Sequence, residues 1–312
     1  MVNVNQNGSN NSNKFVTQTN DCSEITQDGK INSLVNSENL KLFLKIYHQN
    51  ICGLEFKIDE LLASLHPDLP DILCIAEHHL SSIQIQLISP EEYSIGAEFC
   101  RQSFHKGGVC MYIHKRFSFS VINIARHCKE KDLEACALKL KLSSINVCII
   151  TVYRSPSGNF QCFLNGLENI LKKVYKSGIH LIICGDININ YLNESKEKNE
   201  LNNLLNSYNL VSIIHFPTRI TSNSKTTIDN IFLDSTKFVN FVTSSLSNGL
   251  SDHDAQMLEI YTPKLNCKRV NYKVRIIRKI DSYSIMEFKD KLSEELWQTI
   301  FDNTNKDAND IF

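Results

Sequence analysis

Three adjacent polar residues, Ser251, Asp252 and His253, lie directly before an apolar run in the segment NGLSDHDAQMLEI, residues 248–260. Serine, histidine and aspartate could form a hydrolytic triad, a metal site or only a polar turn. Neighbours cannot form a triad, because successive side chains of an extended segment point to opposite faces. If His253 is catalytic, the carboxylate that orients it must therefore come from elsewhere in the chain.

Other polar residues follow apolar stretches that are typical of buried strands. They are Asn50, Glu77, Tyr153, Arg154, Asp186, Asn188 and Asp229. Strands of one sheet bring their ends to a common edge, which is where open α/β folds place their sites. A carboxylate at the end of an apolar strand also needs a partner or a metal when it is buried. We therefore expect these side chains to form a single site.

The residue types suit a metal-assisted reaction on phosphate. Carboxylate oxygens and an asparagine carbonyl are hard ligands that fit Mg²⁺ or Mn²⁺. Asparagine, tyrosine and arginine donate hydrogen bonds to phosphate oxygens. A histidine that is oriented by a separate aspartate stabilises charge or moves a proton. Together these groups indicate hydrolysis of a phosphodiester.

Each residue also has an ordinary structural interpretation. Asn50 suits a turn at the end of a strand, Tyr153 suits the core, and His253 suits a structural histidine with satisfied hydrogen bonds. Glu77 suits the surface, and Asp229 suits the start of a strand. Any one of these interpretations is acceptable for one residue, but coincidence poorly explains why all of them fall at strand ends.

The composition limits the class of protein. The chain has 312 residues, 42% hydrophobic and 21% charged, with a formal net charge of −1, so phosphate binding must be local. Its eleven cysteines are scattered without a C-x-x-C pair, and several lie in apolar runs, as buried thiols in a reducing compartment do. No apolar stretch reaches the length of a membrane span. We predict an intracellular, soluble protein without a membrane partner.

Hydrophobic periodicity predicts an α/β sandwich of two packed sheets with helices outside. The predicted strands are 40–50, 71–77, 107–115, 117–125, 134–142, 146–154, 181–186, 227–234 and 255–262. The predicted helices are 56–65, a segment around 163–174, 200–210 and 284–301.

Both ends of the chain differ in character from the predicted sandwich at 41–262. Residues 1–40 are rich in Asn and Ser and poor in large apolar residues, which predicts disorder. Residues 263–279 carry seven Lys and Arg and no acidic residue. This basic run could contact phosphate or serve as a solvated linker. With the amphipathic helix that follows, it forms a third region, 263–312.

The order N…E…YR…GDxN…ID…SDH, which runs from Asn50 to His253, resembles the endonuclease/exonuclease/phosphatase superfamily over about residues 41–262. The phrases YRSPSGNFQCFLNGLENIL, FPTRITSNSKTTIDNIFLD and NGLSDHDAQMLEI are similar to the endonuclease domain of jockey-like, insect-type non-LTR retrotransposons. The tail is similar to the segment that precedes the reverse transcriptase in those polyproteins, so 263–312 is expected to begin a truncated downstream region. The segment AEHHL departs from the family, which often has an aromatic residue after the glutamate.

The resemblance implies a deoxyribonuclease-like, four-layer α/β sandwich and a catalytic group. In that group His253 is the catalytic histidine, and Asp229 is its orienting carboxylate. Asp186 positions or deprotonates the attacking water, while Asn188 and Tyr153 donate to the scissile phosphate. Whether Asp186 or His253 is the base stays open, as does the choice between one and two metals.

The resemblance also implies the binding residues. Glu77, helped by Asn50, is expected to hold Mg²⁺, with Mn²⁺ as an alternative, and Asp252 belongs to the metal and phosphate side. Three further residues are expected to contact phosphate or DNA or to support those contacts: Arg154, Thr218 and Ser251.

The implied function is metal-dependent nicking of double-stranded DNA, which leaves a 3′-hydroxyl and a 5′-phosphate. In a retrotransposon that hydroxyl primes reverse transcription in the nucleus, and the basic tail could bind the element's RNA. One alternative is a host phosphodiesterase of the superfamily, such as an abasic-site repair enzyme or a phosphoinositide phosphatase. Another is a decayed copy that only binds nucleic acid.

Overall fold

A computed structural model of the chain describes residues 16–18, 40–142, 145–263 and 282–294. The chain divides into two compact units, Met1–Lys264 and Leu265–Phe312. The strands of the first unit are β1 Val16–Gln18, β2 Leu40–Asn50, β3 Ile72–Ala76, β4 Tyr93–Phe99, β5 Val109–His114, β6 Phe119–Val121, β7 Glu134–Leu142, β8 Ile145–Tyr153, β9 Ile179–Asp186, β10 Leu210–Ser212, β11 Arg219–Ile220, β12 Lys225–Thr226, β13 Asp229–Asp234, β14 Phe241–Leu246 and β15 Ala255–Pro263. Its α-helices are α1 Ile58–Leu65, α2 Ser82–Leu87, α3 Phe160–Val174 and α4 Lys196–Asn206.

Two mixed sheets dominate the first unit. The larger has the strand order β1-β14-β15-β2-β3-β5-β4, and the smaller has the order β10-β13-β9-β8-β7-β6. Strands β2 and β3 run parallel, as do β8 and β9, whereas every other pairing within these sheets is antiparallel. The parallel pairs lie in the middle of the sheets, and both of them lead to the predicted site.

Three apolar clusters show how the layers stack. The central cluster joins the two sheets, for example Ile46 and Met111 of the larger with Leu138 and Ile182 of the smaller. A second cluster packs α3 and α4 on the outer face of the smaller sheet, and a third packs α1 and α2 on the larger. The domain is therefore a four-layer sandwich of helices, two sheets and helices, which confirms the predicted fold class.

The long helices have clear sequence causes. In α3 the predicted apolar stripe from Phe163 to Val174 is buried, and the Asn159 side chain caps the helix by accepting a hydrogen bond from the Cys162 amide. Ser195 caps α4 in the same way. With that cap, α4 starts four residues before the predicted position 200. The prediction began too late because Lys196–Asn199 contain no apolar residue.

Several elements escaped the sequence prediction. In the larger sheet β4 pairs with β5, and β14 pairs with β15. The sequences of β4 and β14, YSIGAEF and FVTSSL, alternate only weakly between apolar and polar residues. Both lie near sheet edges, where fewer side chains need to be apolar. The predicted strand 117–125 is only three residues long, Phe119–Val121, and a short 3₁₀ helix follows it.

Most of both terminal regions falls outside the described residues. Of the segment predicted to be disordered, the description covers β1, which pairs with β14, and Leu40. The basic run 264–279 is not covered. The second unit contributes the helix α5, Ser282–Glu294, which corresponds to the first part of the predicted helix. Within the described ranges, no helix is both long and apolar enough to cross a membrane.

Gly185, the glycine of the GDxN motif, has no room for a side chain. A Cβ atom at this position would lie 2.1 Å from the Val152 carbonyl oxygen on β8. We expect Gly185→Ala to lower the free energy of unfolding by about 3 kcal/mol, because a backbone atom must move. Gly178→Ala is the matched control, because the added carbon meets nothing within 4 Å and only the φ of +82° disfavours alanine there. We expect this variant to lose about 1 kcal/mol of the free energy of unfolding. Urea denaturation compares the two, and an equal or smaller loss for Gly185→Ala would contradict the steric explanation.

Candidate active site

The strand registers bring three of the predicted residues into one row. Tyr153 at the end of β8 pairs with Asp186 at the end of β9, and Asp186 pairs with Asp229 at the start of β13. In the other sheet Asn50 pairs with Ala76, and Glu77 follows directly. The Asn50 amide joins the two edges, since its Nδ2 lies 2.9 Å from Asp186 Oδ2 and 2.9 Å from Glu77 Oε1.

His253 and Asp229 form the histidine–carboxylate pair that the sequence required. His253 Nδ1 lies 2.8 Å from Asp229 Oδ2, and the Asp229 carboxylate is fully buried. The backbone of His253 is also held, because its amide donates to Ser251 Oγ at 2.9 Å and its carbonyl accepts from Gln49 Nε2 at 2.9 Å. With Nδ1 occupied by Asp229, Nε2 is the nitrogen left to act on a substrate.

The charge of Asp229 governs the protonation of His253. Burial lowers the pKa of His253, but the hydrogen bond and charge of Asp229 outweigh burial and raise it to about 9. Burial raises the pKa of Asp229, but the hydrogen bond to His253 and the nearby His48 ring outweigh that effect and lower the pKa below its ordinary value. The pair is therefore an imidazolium and a carboxylate at neutral pH.

Asp186 occupies the centre of the site and is almost wholly buried. Its carboxylate accepts from Asn50 Nδ2 and, at 3.0 Å, from the backbone amide of Asn188. Burial and then the nearby charge of Asp229 raise the pKa of Asp186 well above its ordinary value. One ligand atom each of Asp186, Asp229 and His253 lie within 4.8 Å of one another.

Glu77 is half-buried and remains ionised. Burial raises its pKa, but hydrogen bonds from His79, Asn50 and Tyr153 outweigh burial and lower the value to about 2. Its backbone has a φ of +52°, a left-handed conformation that a residue with a Cβ adopts only when its surroundings impose it.

These side chains fit a divalent cation. The raised pKa of Asp186 shows that its ionised form is disfavoured beside another carboxylate, and a bound cation would remove that cost. Glu77 and Asp186 offer hard oxygen ligands, and Asn50 lies between them, which suits Mg²⁺ or Mn²⁺ better than a structural zinc ion.

The structure gives Arg154 and Asn188 a shared role in the loop after β9. The buried Arg154 guanidinium donates to the carbonyls of Ile187 at 2.9 Å, Asn188 at 3.0 Å and Gly158 at 3.1 Å. Because those donors are used and the residue is only 4% exposed, direct phosphate contact by Arg154 is replaced by support of the loop. Asn188 Nδ2 donates to the Arg154 carbonyl at 2.7 Å, which leaves its second N–H free.

The structure places Thr218, which was expected to contact DNA, in the interior of the domain. Its side chain is fully buried, and its hydroxyl donates to Asp229 Oδ2 at 2.8 Å while accepting from the amides of Ile228 and Asp229 at 3.2 Å. Thr218 therefore orients the carboxylate that orients His253.

Ser251 lies between the site loops, and Asp252 lies at the rim of the site. The Ser251 hydroxyl donates to the Asn50 carbonyl at 2.6 Å, so together with the His253 amide it ties the two site loops to each other. Asp252 is half-exposed and accepts from Arg219 at 2.7 and 2.8 Å. Its Oδ1 lies 4.0 Å from His253 Nε2, so Asp252 lies at the rim, beside the histidine, rather than with Glu77.

Sequence reasoning missed two buried residues next to the site. His48 places Nε2 3.6 Å from Asp229 Oδ1, and its position two residues before Asn50 on the same strand was the available signal. Glu134 is fully buried and accepts from Arg101 Nε at 2.6 Å, from the Gly108 amide at 2.6 Å and from the Lys131 amide at 2.7 Å. Its place at the start of an apolar strand was the same signal that identified Glu77 at the end of one.

Part of this chain matches a known protein family by sequence. A family model described as endonuclease-reverse transcriptase matches residues 147–257, a span that includes Asp186 and His253 and leaves Asn50 and Glu77 outside. No curated protein sequence matches the chain significantly.

Solved structures match over most of the domain. The endonuclease domain of TRAS1, a telomere-specific non-LTR retrotransposon, has a TM-score of 0.56 and 13% identity over 72% of this chain and 100% of its own. TDP2 of D. rerio, complexed with a single-strand DNA product, has a TM-score of 0.52 and 16% identity over 70% and 98%. The 3′-5′ exonuclease NExo of Neisseria meningitidis has a TM-score of 0.50 and 15% identity over 70% and 99%.

The domain therefore has the nuclease and phosphodiesterase fold of the endonuclease/exonuclease/phosphatase superfamily. The family model over residues 147–257 and the TRAS1 match confirm the predicted resemblance to the endonuclease domain of a non-LTR retrotransposon.

The His253–Asp229 pair should make stability depend on pH. The folded-state pKa of His253, about 9, lies above its ordinary 6.5, so its stabilisation is complete below pH 6.5 and is lost as pH rises through 9. Because the same interaction lowers the pKa of Asp229, the shift of Asp229 adds no second contribution to the free energy of unfolding. Between about pH 6 and about pH 10, we expect the free energy of unfolding of the wild type to fall by roughly 2–3 kcal/mol more than that of His253→Gln. Urea denaturation in EDTA measures this, and a constant difference would contradict it.

Proposed function

We propose that this protein is a Mg²⁺-dependent endonuclease that nicks double-stranded DNA by hydrolysis and leaves a 3′-hydroxyl and a 5′-phosphate. The observation that supports this most directly is the joining of two sheet edges by Asn50, which places Glu77 and Asp186 on either side of one amide. The His253–Asp229 pair lies beside them. This set combines cation ligands, a proton acceptor and a positively charged donor in one place.

The protonation states favour a division of labour between Asp186 and His253. His253 is held as an imidazolium by Asp229, so it cannot accept a proton at neutral pH, but its Nε2–H can donate to a phosphate oxygen. Asp186 is the better general base, because its carboxylate can accept a proton whereas the imidazolium of His253 cannot. We therefore assign water deprotonation to Asp186 and charge stabilisation to His253.

The reaction forms a bond from the water oxygen to phosphorus and breaks the bond from phosphorus to the 3′ oxygen. Asp186 takes the proton of the water, and the 3′ oxygen leaves with a proton from solvent. Glu77 and Asn50 would hold Mg²⁺, which when bound neutralises charge on the phosphate. Tyr153 lies beside Glu77 and helps to lower the pKa of that carboxylate, and a side-chain N–H of Asn188 donates to the phosphate.

The resemblance to retrotransposon endonucleases supports a more specific role for this reaction. The 3′-hydroxyl left by nicking is the group that a reverse transcriptase extends, so we propose that the nick primes reverse transcription at a nuclear target. The segment 264–279, with its basic residues, is proposed to add phosphate contacts to DNA or to the element's RNA.

A host phosphodiesterase is the second candidate, and the fold matches support it nearly as well. TDP2 and NExo match with TM-scores of 0.52 and 0.50, close to the 0.56 of TRAS1. Matches at this identity describe the fold and leave the substrate open. The SDH and PTR motifs and the family model over residues 147–257 favour the endonuclease.

Nicking of supercoiled plasmid tests the proposal. The purified chain is incubated with plasmid in Mg²⁺ and in EDTA, beside Asp186→Ala. We expect open circles only with Mg²⁺ and the wild-type chain, and their ends should be extended by a DNA polymerase without prior treatment. Cleavage confined to an abasic site or to a small phosphoester would favour the host enzyme. Binding without any cleavage would favour a decayed copy.

A further inference from the structure

A cysteine, a glutamate and a histidine converge on the outer side of Glu77. The thiol of Cys52, the carboxylate of Glu77 and the imidazole of His79 each place one ligand atom within 4.8 Å of the others. Cys52 is exposed, and Glu77 and His79 are partly exposed. Solvent and small ions can therefore reach the cluster without any rearrangement of the fold.

The two oxygens of Glu77 face different chemistry. Oε1 accepts from Asn50 Nδ2 at 2.9 Å, on the side of Asp186, where the groups are carboxylates and an amide. Oε2 lies 2.9 Å from His79 Nε2, on the side of Cys52, where the groups are an imidazole and a thiol. One carboxylate is therefore shared between a hard-ligand site and a cluster with softer ligands.

The backbone holds the cluster in place before any ion binds. Cys52, Glu77 and His79 have φ values of +49°, +52° and +59°, a conformation that costs of order 1 kcal/mol or more for each residue with a Cβ. The loops after β2 and β3 are also bonded to each other, through the Gly53 amide to the Glu77 carbonyl at 2.8 Å and the Leu54 amide to the His78 carbonyl at 3.1 Å. The three ligand groups are therefore preorganised by a pair of tied loops.

A cavity of about 250 Å³ opens over the cluster, and residues 52–57 and 78–80 line it. Cys52 and His79 are among its lining residues, whereas Glu77, Asp186 and Asp229 are not. An ion bound to Cys52, His79 and the neighbouring Glu77 would keep an open position for water on the side of the cavity, as three-ligand zinc sites do.

We propose that Cys52, Glu77 and His79 bind a thiophilic divalent transition metal of the Zn²⁺ class, and that this metal inhibits the nuclease by taking Glu77 away from Mg²⁺. Thiolate, imidazole and carboxylate are the three ligand types of zinc, and Mg²⁺ competes poorly for sulfur and nitrogen. On binding, the Cys52 thiol releases its proton to solvent. His79 exchanges its hydrogen bond to Glu77 for a bond to the metal, and the Nε2 proton of that hydrogen bond moves through solvent to Nδ1, so that the ring stays neutral.

The binding half of this inference is independent of the nuclease activity, whereas the inhibition half rests on the proposed function. Binding is tested on the full chain with Co²⁺ as a spectroscopic probe, because a cobalt–thiolate bond gives a charge-transfer absorption band. We expect the band in wild type, its loss in Cys52→Ser and its displacement by Zn²⁺. His79→Gln should weaken Co²⁺ binding about tenfold or more. Cys162→Ser, which removes another exposed cysteine, is the matched control and should keep the band.

Inhibition is tested by plasmid nicking in constant Mg²⁺ with increasing Zn²⁺, with each variant expressed relative to its own rate without Zn²⁺. We expect the Zn²⁺ concentration that halves the nicking rate to be at least about tenfold higher for Cys52→Ser than for wild type. For Cys162→Ser it should equal the wild-type value. Equal zinc sensitivity of all three chains would overturn the inhibition.

The two measurements separate the failure of each idea. A band that is absent, or that persists unchanged in Cys52→Ser, overturns the metal site whatever the nicking shows. A band lost in Cys52→Ser from a chain that never nicks DNA supports the metal site and overturns the proposed nuclease.

Discussion

His253→Ala is expected to lower the rate of Mg²⁺-dependent plasmid nicking by about 10²–10⁴-fold, the range typical of a positioned proton-transferring or charge-stabilising side chain. The loss follows from removing the imidazole whose Nδ1 lies 2.8 Å from Asp229 Oδ2 and whose Nε2 is left to act on the phosphate. His66→Ala is the matched control, because His66 is exposed at the end of α1. It should nick at the wild-type rate.

The pairing of His253 with Asp229 leads to a second prediction, for the double variant. Because the carboxylate acts through the imidazole, Asp229→Asn in a chain that already lacks His253 should cost little further activity. The two single variants and the double variant are compared in one nicking assay, with thermal unfolding as the check on folding. If the activity losses of the two single variants multiply in the double variant, Asp229 acts on the substrate independently of His253, and the pairing is contradicted.

Glu77→Gln is expected to produce the other large effect, through the metal. Loss of groups that merely support metal ligands costs about 10–100-fold in affinity or activity, so loss of the ligand should cost about 100-fold or more. The substitution keeps the shape of the side chain and removes the charge that three hydrogen-bond donors surround. Nicking is measured against Mg²⁺ concentration, and partial recovery at high Mg²⁺ is expected.

Glu91→Gln, which removes an exposed carboxylate away from the site, controls for the change in net charge. It should follow the wild-type Mg²⁺ curve. If Glu77→Gln also follows that curve at a lower plateau, then Glu77 contributes to the reaction without binding the metal, and the assignment of the cation to Glu77 and Asn50 is wrong.

The amino-acid sequence was sufficient for the fold class and for most of the central strands. Strands such as β3 and β9 are nearly continuous apolar runs because helices and the opposite sheet bury both of their faces. The apolar stripe of α3 was equally clear. Strands near the sheet edges, such as β4 and β14, were not, because half-buried strands impose weaker constraints on residue type.

The residues that end the strands were also readable from the sequence, since polar groups after buried runs are conspicuous. Their directions were not. Asn50 and Asp186 are 136 positions apart, and only the packing of one sheet on the other brings the amide between Glu77 and Asp186. The roles of Thr218 and Arg154 changed for the same reason, because hydroxyl and guanidinium groups bond to whatever carboxylate or carbonyl the fold places beside them.

Asp252 and the Cys52–His79 pair show the limit most clearly. Asp252 is adjacent to His253 in sequence and lies 4.0 Å from its Nε2, yet it pairs with Arg219 at the rim, a contact that the local sequence does not predict. Cys52 and His79 carry no motif, and they meet because two loops at the ends of parallel strands are bonded to each other. Strand ends are local properties of the chain, whereas contacts between strand ends depend on registers set by distant segments.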